Sequence, residues 1–334
     1  MNSRRNVLKT VLASVLATAV AATLASLAGG ALAQAYPNHT ISMVVSFPPG
    51  GDTDALARLF AEKLSARVGQ QVIVENKTGA SGTIGNSFVA KAKPDGYTLL
   101  FTPNTMATAP LVLKPGAGAA YDPLTDFTPI ILAGTQSLFV VANAASGVTS
   151  LKDLVAAAKS GKVTHYASPG SGSPMHILGE MFNKSAGTKI VQVPYRGSGP
   201  AIVDLVGGQV PLMYTTLGPV AQHIASGKLV NIGVADPQRS PLAPQVPTLA
   251  EAGIKDVEVG AWQGLLGPKG MPADIVAMLN GHFNEILKNP EVATRMTMLA
   301  LVPAGGEPSA VTRMIADNFN RYGKVIKEAG IQAD

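Results

Sequence analysis

The chain has 334 residues, 46% of them hydrophobic, with a formal net charge of +5 and no cysteine. The missing cysteine excludes disulfides, thiol chemistry and a lipid-anchoring cysteine, and the absence of any basic run argues against nucleic acid or a membrane surface as partner. A chain of this length has two domains as its prior, and the apolar fraction is ample for their cores.

Residues 1–35 read as a signal peptide. Ser3-Arg4-Arg5-Asn6-Val7-Leu8-Lys9 is a twin-arginine pattern with Val7 where the export consensus prefers Phe. An uncharged, alanine-rich run follows, and the first acidic residue of the chain is Asp52. Ala31-Leu32-Ala33 and Ala33-Gln34-Ala35 each offer a small-x-small cleavage site, by the Tat or the Sec route. Loss of Arg4, Arg5 and Lys9 with this leader takes the charge from +5 to +2. The expectation is an exported, soluble, nearly neutral periplasmic protein.

Ile41–Val45 is a short apolar run, expected as the first buried strand. The turn Ser46-Phe47-Pro48-Pro49-Gly50-Gly51-Asp52-Thr53-Asp54 follows, and the spacing of Leu56, Leu59, Phe60, Leu64 and Val68 predicts a helix over 54–68. Asp52 or Thr53 is the expected N-cap and Gly69 the stop. Such a turn leaves the first helical N–H groups unpaired beside the strand end, a ready place for an anion, and two glycines let a ligand approach the backbone. A second strand over 71–75 leads into a second glycine-rich turn, 76–83, and a helix over 84–93 stopped by Pro94-Asp95-Gly96. A third strand over 97–101 precedes Thr102-Pro103-Asn104-Thr105. This β-α-β-α-β order argues for a parallel sheet with helices on its faces.

The stretch 107–121 carries few signals. Strands are expected over 129–133 and 138–141, then a helix over 151–160 capped by Ser150. A strand over 163–166 meets the small-residue turn Ala167-Ser168-Pro169-Gly170-Ser171-Gly172, after which Ser173 caps a helix with Pro174 at its first position. A strand over 189–193, the turn Pro194-Tyr195-Arg196-Gly197-Ser198-Gly199-Pro200, a helix over 201–206 and a strand over 209–214 ending in Thr215-Thr216 continue the series. A helix over 219–225 and the strand Leu229–Val234 close it. Trp262 to Pro268 reads as a connecting strand, and three proline-started helices over 272–287, 290–298 and 308–329 complete the chain. Two α/β series and a helical tail fit two lobes joined by crossings near 136–139 and 262–266, with a cleft lined by strand ends and helix starts.

Four turns, 46–54, 76–83, 167–173 and 194–200, collect small polar residues in front of predicted helices. Together they suit one or two carboxylates. Ser81, Thr83, Ser168, Ser171, Ser173, Thr215 and Thr216 supply hydroxyls, each readable as a ligand donor or as a cap. His176 suits a carboxylate or a packed interior, Arg196 a ligand loop or solvent, Phe47 an apolar ligand part or the hinge side of the first lobe, and Trp262 a structural role. Enzyme signatures are missing. No serine has glycine at both −2 and +2, no phosphate-binding Gly-x-x-x-x-Gly-Lys occurs, and the five histidines show no metal spacing. No cofactor is expected.

The chain resembles the extracytoplasmic solute receptors of tripartite tricarboxylate transporters, the Bug receptors. The resemblance rests on Phe47-Pro48-Pro49-Gly50-Gly51-Asp52-Thr53-Asp54 with Arg58, on Val74-Glu75-Asn76-Lys77 with Gly79-Ala80-Ser81-Gly82, and on Pro94-Asp95-Gly96-Tyr97. Ser168 to His176, Val193-Pro194-Tyr195-Arg196-Gly197 with Pro200, Asp204 to Gly208, Trp262-Gln263-Gly264 and Gly267-Pro268 complete it. It implies an α/β fold of the two-lobed periplasmic-binding-protein type (a Venus flytrap, type II-like). Lobe one would span 36–138 plus 263–334 and lobe two 139–262. It further implies a monomer that closes on a small carboxylate, a di- or tricarboxylate or an aromatic acid, and delivers it to the membrane permease; a sensor feeding a kinase and an exported hydrolase are the alternatives. Carried over by position, the ligand residues are Gly51, Asp52 and Thr53; Ser81, Gly82 and Thr83; Asn104 and Thr105; Ser168, Gly170, Ser171, Gly172 and Ser173; His176; and Tyr195, Arg196 and Gly197. Asp52 stands where many family members carry a small residue, and it is expected to point away from the cleft and cap its helix.

Overall fold

The computed structural model describes residues 36–113 and 121–332. The expected signal peptide and its cleavage sites lie outside these residues, as do positions 114–120 of the signal-poor stretch. The chain divides into two units, Met1–Asn38 and His39–Asp334, and every element below belongs to the second.

Strand β1 (Ile41–Val45) pairs in parallel with β2 (Val72–Asn76) and β3 (Thr98–Pro103), linked through α1 (Asp52–Val68) and α2 (Thr83–Ala90), as the β-α-β-α-β reading expects. Helix α1 buries Leu56, Leu59, Phe60 and Leu64, and Phe60 lies between Phe101 and Phe283 with ring centroids 5.6 and 5.5 Å away. Gly69 ends the helix in the left-handed region at φ 69°, where its N–H returns to the Ser65 carbonyl. Helix α3 (Thr105–Val112) occupies the start of the stretch that carried few signals.

The sheet is mixed rather than parallel. Strand β10 (Gly260–Pro268) enters antiparallel between β3 and β4 (Phe127–Ser137), and the two-residue β11 (Val302–Pro303) sits on the outer edge of β4. The segment that reads locally as a connector is thus a central strand. Its neighbours are distant in sequence, so no local pattern announces them.

At Leu138 the chain passes from β4 to β5 (Phe139–Asn143), the first strand of a second sheet. That sheet has the order β7-β6-β8-β5-β9, with β6 (His165–Ser168), β7 (Val191–Pro194), β8 (Leu212–Thr215) and β9 (Leu229–Val234). Helices α4 (Leu151–Lys159), α5 (Pro174–Ala186), α6 (Ser198–Val206) and α7 (Ala221–Ala225) connect its strands. Ser150 caps α4 and Ser173 caps α5, with Pro174 at the first position, as expected. The return to the first sheet begins at Gly260, which pairs with Ser137, so Trp262 lies within a strand and is fully buried.

The tail forms α8 (Ala273–Leu287), α9 (Pro290–Met298) and α10 (Ser309–Ala329). Helix α10 serves both lobes: Val311 and Ile315 join the core around Trp262 and Leu100, whereas Tyr322 and Ile326 join the core around Tyr166 and Phe182.

Candidate ligand-binding site

The turn after β1 is held from behind. Asp54 accepts hydrogen bonds from the Gly50 N–H, from Asn76 Nδ2 at 2.9 Å and from both Nε and Nη2 of Arg58. Burial raises the Asp54 pKa, but the hydrogen bonds from Arg58, Gly50 and Asn76 and the Arg58 charge outweigh it and hold the carboxyl below its usual range. Asn76 Nδ2 also donates to the Phe47 carbonyl, which ties the turn to the end of β2. With Asp54 committed to the turn, helix α1 starts at Gly51 with no side-chain cap. Helix α6 likewise starts at Gly197, uncapped, at φ 103°.

Both starts face one cavity of about 230 Å³, lined from the first lobe by Phe47, Gly51, Asp52, Thr53, Asn104 and Thr105 and from the second by Arg196, Gly197 and Thr216. Two helix N-termini, each with N–H groups its own helix cannot use, therefore meet from opposite lobes beside a guanidinium. Arg196 is exposed, with no hydrogen bond or ion pair among the described residues. Prolines and Met175 make much of the remaining wall apolar.

A neighbouring cavity of about 810 Å³ shares Phe47, Arg196 and Gly197 and adds Ser81, Gly82, Gly170, Ser171 and Tyr195. Helix α2, which starts at uncapped Gly82, opens toward it. The Phe47 ring lies on Gly82, where an added Cβ would sit 3.1 Å from Cε2. Tyr195 is anchored through its hydroxyl, which donates to Asp204 at 2.7 Å.

Hydrogen bonds join the lobes at and beside these cavities. Thr216 Oγ1 donates to Asp52 Oδ2 at 3.0 Å, Ser81 Oγ to the Ser171 carbonyl at 3.2 Å, and Thr108 Oγ1 to the Gly172 carbonyl at 2.7 Å. The first of these corrects the expectation for Asp52. Its side chain does not cap α1 and does not point away; it lines the cavity and meets the opposite lobe. The reason is that Asp54 already satisfies the turn, so the Asp52 carboxylate turns to Thr216 and Gln136. Burial pushes the Asp52 pKa up, with those two hydrogen bonds opposing it.

The other expected residues lie off both cavities. Thr83 Oγ1 donates to the Ala80 carbonyl, and Ser168 Oγ accepts from Gln192 Nε2 and the Gly170 N–H. Ser173 caps α5 by accepting from the His176 N–H. Thr215 is fully buried in β8, and Gly172 presses on Val112 of α3. His176 is buried; its Nδ1 accepts from the Gly172 N–H at 3.3 Å, and its Nε2 lies 4.0 Å from Glu180. It thus braces the 170–173 turn from inside the second lobe.

Burial lowers the His176 pKa to about 4 from 6.5. Below 6.5 the unfolded chain takes up this proton and the folded one does not, so stability is expected to fall as pH drops from 6.5 to 4. The full effect is about 3 kcal/mol. Buried carboxyls with raised pKa values, such as Glu180, act with the opposite sign, so the readout is the difference between wild type and His176→Gln in denaturant titrations from pH 7.5 to 4. Parallel pH profiles for the two proteins would sink the assignment.

Two cavity residues escaped the sequence reading. Gln136 on β4 and Gln263 on β10 are each 4% exposed, and Gln263 Oε1 accepts from Thr53 Oγ1 at 3.3 Å. A glutamine inside an otherwise apolar strand was the available signal, since a buried amide needs partners.

The family model for the tripartite tricarboxylate transporter family receptor matches residues 56–331. Protein BugT of Bordetella pertussis is 37% identical over 309 residues, spanning 92% of this chain and 94% of that one. The solved periplasmic binding protein BugD superposes with a TM-score of 0.81 at 34% identity, covering 90% of this chain and all (100%) of its own. Rpa4515 of R. palustris, solved with adipate, gives a TM-score of 0.83 at 33% identity, covering 89% of this chain and 99% of that one. With the two-lobed α/β fold of periplasmic binding proteins, the chain belongs to the tripartite tricarboxylate transporter receptor family and is a Bug-type solute-binding receptor, not an enzyme.

Proposed function

We propose that this receptor works in the periplasm, captures a small carboxylate by lobe closure and hands it to the membrane permease of a tripartite transporter. The observation that carries the reading is the pair of uncapped helix starts, Gly51 of α1 and Gly197 of α6, at one cavity with Arg196. Backbone N–H groups and the helix dipoles supply a fixed positive field that costs nothing to reorganise when an anion arrives. The adipate held by Rpa4515 supports the same ligand class.

In this reading the moving bodies are 36–138 with 263–334 and 139–262, and they turn about the adjacent crossings at Ser137 and Gly260. A ligand touching both lobes gains its full contacts only in the closed state, so binding shifts the population toward closure. The closed face is then what the permease recognises, and a monomer suffices.

The test is thermal melting of refolded, ligand-stripped protein against a panel of di-, tricarboxylic and aromatic acids. At a hundred times its dissociation constant a ligand adds about 2.7 kcal/mol, roughly several degrees in this size range. At least one acid class is expected to raise the melting temperature and to shrink the radius of gyration in small-angle scattering. A flat panel would overturn the carboxylate assignment; a thermal shift at unchanged radius would overturn closure.

A further inference from the structure

Asp52 is what carboxylate capture alone leaves unexplained. Its carboxylate lines the cavity that both helix starts face, and it and Arg196 are the two ionisable residues among those lining it. Its partners, Thr216 from the opposite lobe and Gln136 from its own, are neutral. An acidic group at this place repels a ligand carboxylate as surely as Arg196 attracts one.

Asn104 adds a second acceptor. Its Nδ2 donates to the Gly260 carbonyl at 3.0 Å and to Asn318 Oδ1 at 3.1 Å. Asn318 Oδ1 is fixed as an acceptor by the Trp262 indole N–H at 3.0 Å, and Gly260 offers a carbonyl, so the Asn104 amide cannot be turned round. This leaves Asn104 Oδ1 with no donor, on a residue 1% exposed that lines the same cavity.

A plain dicarboxylate brings acceptors only. It meets like charge at Asp52 and offers Asn104 nothing. A ligand that carries an ammonium beside its carboxylate satisfies every group: the carboxylate takes the helix starts and Arg196, and the ammonium donates to Asp52 and Asn104. We propose that Asp52, assisted by Asn104 Oδ1, is the specificity determinant that makes this receptor prefer amino acids to amine-free acids of the same skeleton. This rests on the carboxylate reading above and narrows its ligand class.

Titration calorimetry at pH 7.5 with two pairs differing by one ammonium tests it: L-glutamate against glutarate, and L-leucine against 4-methylpentanoate. In at least one pair the amino member is expected to bind at least about tenfold tighter to wild type. Asp52→Asn should erase that ratio while leaving the amine-free member as tight or tighter. Thr216→Val keeps the carboxylate but removes the bond across the cavity, so it should weaken both members by a similar factor and preserve the ratio. Amine-free acids binding as tightly as their amino partners in both pairs, or an Asp52→Asn variant that keeps the ratio, would overturn the proposal and leave the carboxylate reading standing. Amine-free affinity that rises as pH falls toward 5 would also overturn it, by assigning Asp52 as a proton donor to a second carboxylate. Silence from wild type and Asp52→Asn toward all four acids would overturn the carboxylate reading itself for ligands of this size.

Discussion

Gly172→Ala is expected to weaken ligand binding by about tenfold to a hundredfold while costing the fold only about 1 kcal/mol. Gly172 sits in the second-lobe turn at φ 73°, and an added Cβ would lie 2.8 Å from Val112 Cγ2 and 2.9 Å from Cγ1. Valine is stiff at its first side-chain torsion, so α3 cannot yield by a simple rotamer change. The same turn accepts the Thr108 hydrogen bond through the Gly172 carbonyl, so the clash falls on a hydrogen-bonded contact between the lobes. Backbone strain at a positive φ is common to any open and closed states; under the closure proposed above, the clash would burden only the closed, ligand-binding one. Gly187→Ala is the control. It has φ 64° with nothing within 4 Å of the added Cβ, so it should lower the melting temperature and leave the dissociation constant alone. Calorimetry on both variants, with scattering to follow the radius of the ligand-saturated state, separates the two effects. A Gly172→Ala protein that binds within twofold of wild type would show that the lobes do not need this approach.

Asn318→Ala is expected to destabilise the protein by about 3 kcal/mol, roughly 6–12 °C in melting temperature. Asn318 Oδ1 receives both the Trp262 indole N–H and Asn104 Nδ2, at 3.0 and 3.1 Å, on a residue 3% exposed. Truncation orphans the indole donor in the core and takes one of the two bonds that orient Asn104. The second loss reaches the cavity, so ligand affinity should drop several-fold as well. In the double variant Asn318→Ala with Trp262→Phe the orphaned donor is gone, and the combined cost should fall below the sum of the single costs. Denaturant melts of the four proteins give the coupling, and strict additivity would show that the indole bond contributes nothing to stability.

Local chemistry made much of the architecture readable in advance. The run Ile41–Val45, its proline-glycine turn and the periodic residues from Leu56 to Val68 specify strand, turn and helix within one stretch of chain. Ser150 and Ser173 announce their helices by the same short-range logic, since a cap bonds to a backbone N–H three residues on. The site was legible as a set of loops, because glycine-rich turns before helices are sequence features. Which loop residues face the cavity was not. Ser173 and Ser168 carry the same hydroxyl as Ser81, yet they bond within the second lobe, whereas Ser81 reaches the Ser171 carbonyl across the cleft.

What the sequence by itself determined is the series of β-α units, the helix stops, the glycine turns and, through the resemblance they carry, the receptor family. These depend on spacing and caps within a few residues. Tertiary structure alone decided that β10 enters antiparallel between β3 and β4, that α10 joins both cores, and that Asp52 turns inward. The physical reason is distance along the chain. Asp52 finds Thr216 across 164 positions and Asn104 finds Asn318 across 214, and no local propensity encodes a partner that only folding brings near.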